Sequence, residues 1–439
     1  MSPHVLLVSS PLQGHVNPLL VLGRRLASRG LLVTFSTVPH AGIKFTHGDG
    51  ESVVVGRGTL RFEHLRGVGL CDDVQDMMRH LEDAAPAALA ALIRRQAGAG
   101  RPVSCVVANA FTPWALRVAS GMGVPHAVLW TESCAVLSMY YHHFHSLTAF
   151  PDEPNATVAV PGLPRLAAGD LPGLIHAPEQ FIWRQLLAAD LRSLRETVSW
   201  VLVNTFDELE HAAMVALGVH QPILPVGPLY DTENYGAHDD VAAWLDSQSP
   251  RSVVFVAFGS LLKISGDEMA ELAEGLAATG RPFLWVVRDD NRDALPDDRL
   301  AAATGSGRGK VVAWCEQGHV LCHHAVGCFV THCGWNSTTE ALAAGVPVVA
   351  YPGWADQPTN AKFLTDVYGV GVRLPKPMAR EALRRCVDEV MVGPEAEAMR
   401  ERAGNWKAQA SAALAGGGSS DRGTQDFVDA VLSLEPGTQ

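Results

Sequence analysis

The stretch Phe329-Val-Thr-His-Cys-Gly-Trp-Asn-Ser-Thr-Thr-Glu340 reads as the end of a strand, a tight turn and the start of a helix. The apolar run Gly327–Val330 gives way to polar residues, and helical spacing resumes over Thr338–Ala344, with the helix expected to begin near Ser337. A helix N-terminus offers N–H groups without intrahelical partners and the positive end of the helix dipole, which suits a diphosphate. Gly334 permits close backbone approach, and His332, Asn336 and Ser337 are hydrogen-bond donors in reach of the turn. A plainer reading exists: Ser337-Thr-Thr-Glu340 has capping-box spacing, with Glu340 bonding back to the cap N–H. Spacing alone does not choose between the two for Glu340.

Outward from this stretch, strands and helices alternate. Ser252–Phe258, Pro282–Val287, Val311–Ala313 and Val346–Tyr351 read as strands around a helix at Ser265–Thr279. An earlier cycle comprises Val5–Val8, a helix Val16–Ser28 stopped at Gly30, Leu31–Phe35, Val103–Val107, a helix Trp114–Gly121 and Val124–Leu129. Continuous apolar strands linked by helices predict an α/β chain with parallel sheets covered on both faces. Pro222–Pro250 is polar and rich in Pro and Gly, so the expected organisation is a domain over 1–230, a linker at 228–250, a second domain over 251–420 and a final helix from Asp421 to Leu434. Thr304–Lys310 and Ala415–Ser420 read as loops, and the former lacks the Ser or Thr a phosphate loop needs after its lysine.

At the chain start, Pro11-Leu-Gln-Gly-His-Val-Asn-Pro18 places His15 just before a helix, at the carboxyl edge where open α/β sheets bind ligands. The plainer reading is a loop histidine at a helix start. Composition narrows the classes further. Hydrophobic residues are 47% and charged residues 18%, which excludes a disordered chain, and a net charge of −12 argues against a general nucleic-acid binder. No apolar run approaches the ~20 residues of a membrane span, and the N-terminus lacks a basic leader region. The eight cysteines include no C-x-x-C pair and read as reduced thiols. Cys315, Cys322, Cys328 and Cys333 interleave with histidines, but the spacings do not match structural zinc patterns. No Gly-x-Gly-x-x-Gly, Gly-x-Ser-x-Gly or Asp-x-Asp occurs, which disfavours a dinucleotide oxidoreductase, an α/β-hydrolase and a divalent-metal clamp.

Trp314-Cys-Glu-Gln-Gly-His, the stretch 329–340 and Pro352-Gly-Trp-Ala-Asp-Gln357 together closely resemble the signature segment of plant family 1 UDP-sugar glycosyltransferases. The resemblance extends to PLQGHVNP at 11–18, VGPL at 226–229, VAFGS at 256–260 and FLWVVR at 283–288. It implies a GT-B fold, two Rossmann-like parallel-sheet domains facing a cleft, with the helix in 421–439 returning to the N-terminal domain. It also implies inverting transfer of glucose from UDP-glucose to a small aromatic acceptor. Carried over by motif position, Trp314 stacks under uracil with Cys315 and Gln317 nearby. Ser260, His332, Asn336 and Ser337 fall to the diphosphate, Glu340 to the ribose, and Thr131, Trp335, Asp356 and Gln357 to the sugar. Gly14 and Gly334 join the donor site, and His15 lines up with the catalytic base.

Two positions depart from the family. Glu316 stands where a proline is usual, and Asn109, in CVVANAFTPWA, stands where an aspartate orients the histidine. The latter feature, with WTESCAVLSMYYHHFH at 130–145, resembles the branch that esterifies aromatic acids with glucose. The expected product is therefore a 1-O-acyl glucose, with O-glucosylation of a hydroxyl and a non-catalytic UDP-sugar binder as alternatives. The expected setting is a cytoplasmic monomer that uses UDP-glucose as co-substrate with no cofactor and no metal. Loops around 60–80 and 140–190 are expected to line the acceptor cavity.

Overall fold

Runs of apolar residues with no exposed surface form the middle of two parallel sheets. The computed structural model describes residues 3–39, 47–69, 73–153, 156–230, 240–292, 301, 303–305 and 307–434. In the first sheet β1 (His4–Val8), β2 (Leu32–Ser36), β3 (Ser52–Val55), β4 (Gly58–Phe62), β5 (Cys105–Asn109), β6 (His126–Trp130), β9 (Trp200–Val203) and β10 (Ile223–Pro225) lie in the order β10-β9-β6-β5-β1-β2-β4-β3. The short pair β7 (Thr157–Val158) and β8 (Leu166–Ala167) stands apart from it. Every pairing in the large sheet is parallel except β3 with β4. The second sheet comprises β11 (Val253–Ala257), β12 (Phe283–Val286), β13 (Gly309–Val312), β14 (Val326–Thr331), β15 (Val348–Ala350) and β16 (Gly371–Arg373), all parallel, in the order β13-β12-β11-β14-β15-β16. β1, β5, β6 and β11 are buried throughout, as strands covered on both faces must be.

Each sheet has its own core. Helix α1 (Gln13–Ser28) lays Val16, Leu19, Leu22 and Leu26 on the first, beside Leu7, Val33, Leu60 and Val107. The Gly266–Ala278 helix covers the second with Met269, Leu272 and Leu276, and a capping box between Ser265 and Glu268 fixes its start. The chain divides into one unit of residues 1–169, 173–230 and 413–439 and another of 170–172 and 231–412. Within the expected linker, Asp240–Asp246 is a helix of the second unit. The last helix, Ser419–Leu432, belongs to the first unit: Phe427, Val428 and Val431 join its core beside Val226 and Leu229. Gly423 lets that helix approach β10, since a Cβ there would sit 2.1 Å from the Pro225 carbonyl oxygen.

Several boundaries differ from the sequence expectation. Ser419 and Ser420 open the last helix rather than extending a loop, and Gly309 and Lys310 open β13. Sheet pairing with β12 claims the latter two, a long-range effect that local polarity does not report. No helix among the described residues is long and apolar enough to cross a membrane.

One buried titratable group belongs to this scaffold. His4 in β1 has its Nδ1 2.9 Å from the Arg101 carbonyl oxygen and its Nε2 2.8 Å from Thr34 Oγ1. A carbonyl only accepts, so Nδ1 carries the proton and Nε2 accepts from the hydroxyl. Burial pushes the imidazole down to about 4 from an ordinary 6.5. The unfolded chain therefore binds a proton that the folded chain does not, between pH 6.5 and 4, and stability falls as pH is lowered through that window. Urea unfolding at pH 7 and pH 5 should show a smaller acid loss in His4→Gln than in the native chain; equal losses would mean that His4 is not buried neutral.

Candidate active site

The first sheet changes winding direction at β1, which has β2 on one side and β5 on the other. Such a switch point opens a crevice outside the carboxyl ends of the two strands. His15 follows β1 and Asn109 ends β5, so the topology delivers both to that point, and Thr131 follows the next strand, β6. His15 lies inside the first turn of α1 rather than ahead of it, because Leu12 already takes the extended N-cap conformation. Gly14 precedes it in the same turn. The His15 ring is half-buried, and desolvation lowers its pKa to about 4, so it is neutral at pH 7.

Among the described residues, nothing hydrogen-bonds His15 Nδ1. Asn109 is fully buried, and its Nδ2 donates to the backbone carbonyl of His15 at 3.4 Å, not to the ring. What flanks the imidazole is Phe111, edge-on with ring centroids 6.1 Å apart. Thr131 is buried at the entry to the helix Cys134–Phe144. That helix start is filled from within: both carboxylate oxygens of Glu210 accept, from the N–H groups of Cys134 and Ala135, at 2.9 Å.

In the second sheet the switch point lies between β11 and β14. Gly259 and the exposed Ser260 follow β11; His332, Cys333 and Gly334 follow β14. The His332 ring is enclosed by two glycines. A Cβ on Gly259 would lie 2.5 Å from His332 Nε2, and one on Gly334 would lie 2.6 Å from it. Gly259 also has φ 68° and Cys333 φ 65°, so the two turns facing each other are both left-handed. Arg288, after β12, donates from Nη1 to the Gly259 carbonyl at 2.5 Å, and Asn291 Nδ2 donates to the Leu262 carbonyl at 3.3 Å. Burial, and secondarily the Arg288 charge, hold His332 down to about 4.

The helix after this turn spans Trp335–Ala344, with Gly334 as N-cap and no side-chain cap. It thus begins two residues before Ser337, which rules out the capping box: Glu340 lies a full turn too deep to bond back to the cap. Gln317 takes that carboxylate instead, donating from Nε2 to Glu340 Oε2 at 2.6 Å and to Ser337 Oγ at 2.8 Å. Enclosure lifts Glu340 to about 7. Asp356, likewise lifted to about 7 by burial, accepts on Oδ2 from the N–H of Trp335 at 3.1 Å and from Asn360 Nδ2 at 2.6 Å. Gln357 Oε1 accepts from the N–H groups of Gly353 and Trp354 at 2.8 and 3.2 Å, which commits that oxygen to the main chain. Trp314, after β13, is 46% exposed, an unusual state for an indole, while its neighbour Cys315 is buried. Asn336 is half-buried in the first helical turn.

The structure therefore gathers Gly259, the residue before Ser260, with His332 and Gly334, Gln317 with Ser337 and Glu340, and Trp335 with Asp356 in the second unit. His15, Gly14, Asn109 and Thr131 stand at the sheet edge of the first. Gly259, Arg288, Asn291, Asn360 and Glu210 were not singled out from sequence. Gly259 and Arg288 lie in the quoted VAFGS and FLWVVR; Asn291, Asn360 and Glu210 lie outside the quoted motifs, and only the fold reveals which distant backbone groups Arg288 and these three hold.

A family model described as UDP-glucoronosyl and UDP-glucosyl transferase matches residues 195–401. A gallate 1-beta-glucosyltransferase of Punica granatum is 41% identical, covering 98% of this chain and 88% of that one. The chain belongs to this family. This UDP-glycosyltransferase is also 39% identical to a cinnamate beta-D-glucosyltransferase of Fragaria ananassa, over 98% of this chain and 83% of that one. Os79 of O. sativa, solved in complex with UDP, superposes with a TM-score of 0.87 at 32% identity, covering 97% of this chain and all of that one. The fold is the GT-B type, with two Rossmann-like domains, and the enzyme is a UDP-glucose-dependent glucosyltransferase.

The glycine enclosure generates a test. Gly259→Ala must displace His332, whereas Gly280, at φ 66° with nothing within 4 Å of a Cβ, carries the same backbone strain without the clash. Calorimetry with UDP should show at least tenfold weaker binding for Gly259→Ala and little change for Gly280→Ala. Equal effects would mean that strain, not the imidazole, sets the requirement.

Proposed function

We propose that this glucosyltransferase makes 1-O-acyl glucose esters of small aromatic carboxylic acids. The observation that carries the reading is the uncharged Asn109, with His15 Nδ1 unpartnered among the described residues. A phenol has a pKa near ~10 and needs a base at pH 7. A paired carboxylate makes histidine an effective base by stabilising the imidazolium; in a serine protease triad, exchanging that carboxylate for an amide costs ~10⁴ in rate. A carboxylic acid, with a pKa near ~4, arrives already ionised. One of its oxygens then attacks the anomeric carbon as the bond to the diphosphate breaks on the opposite face, and the electron pair leaves with UDP. No proton moves, and the anomeric configuration inverts. In such a step the neutral His15 takes no proton; it holds and orients the acceptor carboxylate.

On the donor side, the exposed Trp314 face takes uracil, and the Gln317–Ser337–Glu340 cluster takes the ribose and the first phosphate. Ser260, His332, Asn336 and the first turn of the Trp335–Ala344 helix receive the charge that develops on the diphosphate, so no metal is needed. Trp335, Asp356, Gln357 and Thr131 meet glucose. With its Oε1 already engaged, Gln357 offers glucose its NH₂. The gallate and cinnamate transferases among the relatives support the acid acceptor. A net charge of −12 fits a cytoplasmic monomer kept from nucleic acids.

Asn109→Asp should raise kcat/KM for a phenol relative to its matching aromatic acid, because it restores the stabilising charge beside His15 and sets a like charge near an acceptor carboxylate. Steady-state kinetics with benzoate and phenol acceptors measure the ratio. An unchanged ratio would detach Asn109 from acceptor choice.

A further inference from the structure

Asp190 lies in the helix Ile182–Glu196 with no exposed surface. Its Oδ2 accepts the backbone N–H of Phe111, and its Oδ1 is buried without a hydrogen-bond partner among the described residues. A carboxyl group so enclosed is costly to ionise, and burial raises its pKa well above the ordinary carboxyl value. An apolar side chain would avoid that cost, which makes the group it holds informative.

That group is the turn leaving β5. Phe111 has φ 63°, a left-handed conformation that a bulky side chain adopts only when its surroundings impose it. Asn109 stands two residues before it, and Thr112 Oγ1 closes the turn on the Asn109 carbonyl at 2.6 Å. The Phe111 ring meets the His15 imidazole edge-on and stands edge-on to Trp183, on the same helix as Asp190, with centroids 5.4 Å apart. Among the described residues nothing hydrogen-bonds His15 Nδ1, and the Phe111 ring packs against the imidazole.

We propose that Asp190 is a positioning residue for glucosyl transfer: by accepting the Phe111 N–H it fixes the ring that steadies His15, replacing through packing the carboxylate that Asn109 cannot supply. The inference rests on the reading of His15 as the group that meets the acceptor. Asp190 acts as a hydrogen-bond acceptor and not as a charge, so an amide can do the same work. Misplacing a catalytic group by about 1 Å can cost on the order of a hundredfold in rate.

The test is steady-state kinetics with UDP-glucose and an aromatic acid on Asp190→Asn, Asp190→Leu, Phe111→Leu, the Asp190→Leu/Phe111→Leu pair and His15→Gln. Asp190→Asn should stay within about twofold of the native kcat, because the amide oxygen still accepts the N–H. Asp190→Leu and Phe111→Leu should each lower kcat at least tenfold with KM for UDP-glucose unchanged, and the double variant should be no worse than the poorer single, as coupled residues require. Should Asp190→Leu fail to fold, Phe111→Leu and Asp190→Asn carry the same expectations. A folded Asp190→Leu or Phe111→Leu with native kcat, or an Asp190→Asn variant that loses at least tenfold in kcat, overturns the proposal. Native kcat in His15→Gln would instead overturn the reading of His15, whatever the Asp190 variants do.

Discussion

The chemistry of the acceptor side depends on the hydrogen bond that Asn109 makes. An amide buried at the end of β5 bonds the main chain of α1 and leaves the imidazole of His15 without a charged partner among the described residues. A neutral amide in this place needs no counter-ion and carries no ionisation penalty, although its Oδ1 is buried without a hydrogen-bond partner among the described residues. The consequence is chemical. A desolvated histidine without a carboxylate is a poor proton acceptor, so the site suits a nucleophile that brings its own charge. The surroundings are aromatic: Phe111 stands edge-on to the histidine and itself meets Trp130 and Trp183.

A second constraint is topological. In a parallel sheet every strand leaves toward the same edge, and where winding reverses the two diverging loops open a crevice. Both sheets obey it: β1 and β5 bring His15 and Asn109 together, and β11 and β14 bring Gly259 and His332 together. In the second unit the loops are then locked by side chains. Arg288 and Asn291 hold the main chain after β11, and Asn360 and Asp356 hold the turn after β14. Loops locked this way are preformed, so the diphosphate site proposed there would reorganise little as charge develops on the leaving group.

Much of this was legible in the chain. The continuous apolar runs identified the strands, because burial on both faces leaves no alternation to misread, and the motif at 314–357 identified the family. Local signals failed where long-range contacts decide. Ser337 and Glu340 have capping spacing, yet the left-handed Cys333 starts the helix at Trp335, and Gln317 takes the carboxylate. His15 looked like a loop residue because Leu12 gave no capping signal. Glu210 and Asp190 had no signature at all: each is an ordinary acid on an amphipathic helix, and only tertiary packing shows that one fills the start of another helix and the other holds a strained turn.

An acceptor carrying both nucleophiles tests the central claim most directly, because binding differences between acceptors cancel. With UDP-glucose and 4-hydroxybenzoic acid, the product of a single incubation is separated and treated with mild alkali. The dominant glucoside should be the alkali-labile ester, its glucose attached to the carboxylate. An alkali-stable phenolic glucoside as the dominant product would contradict it.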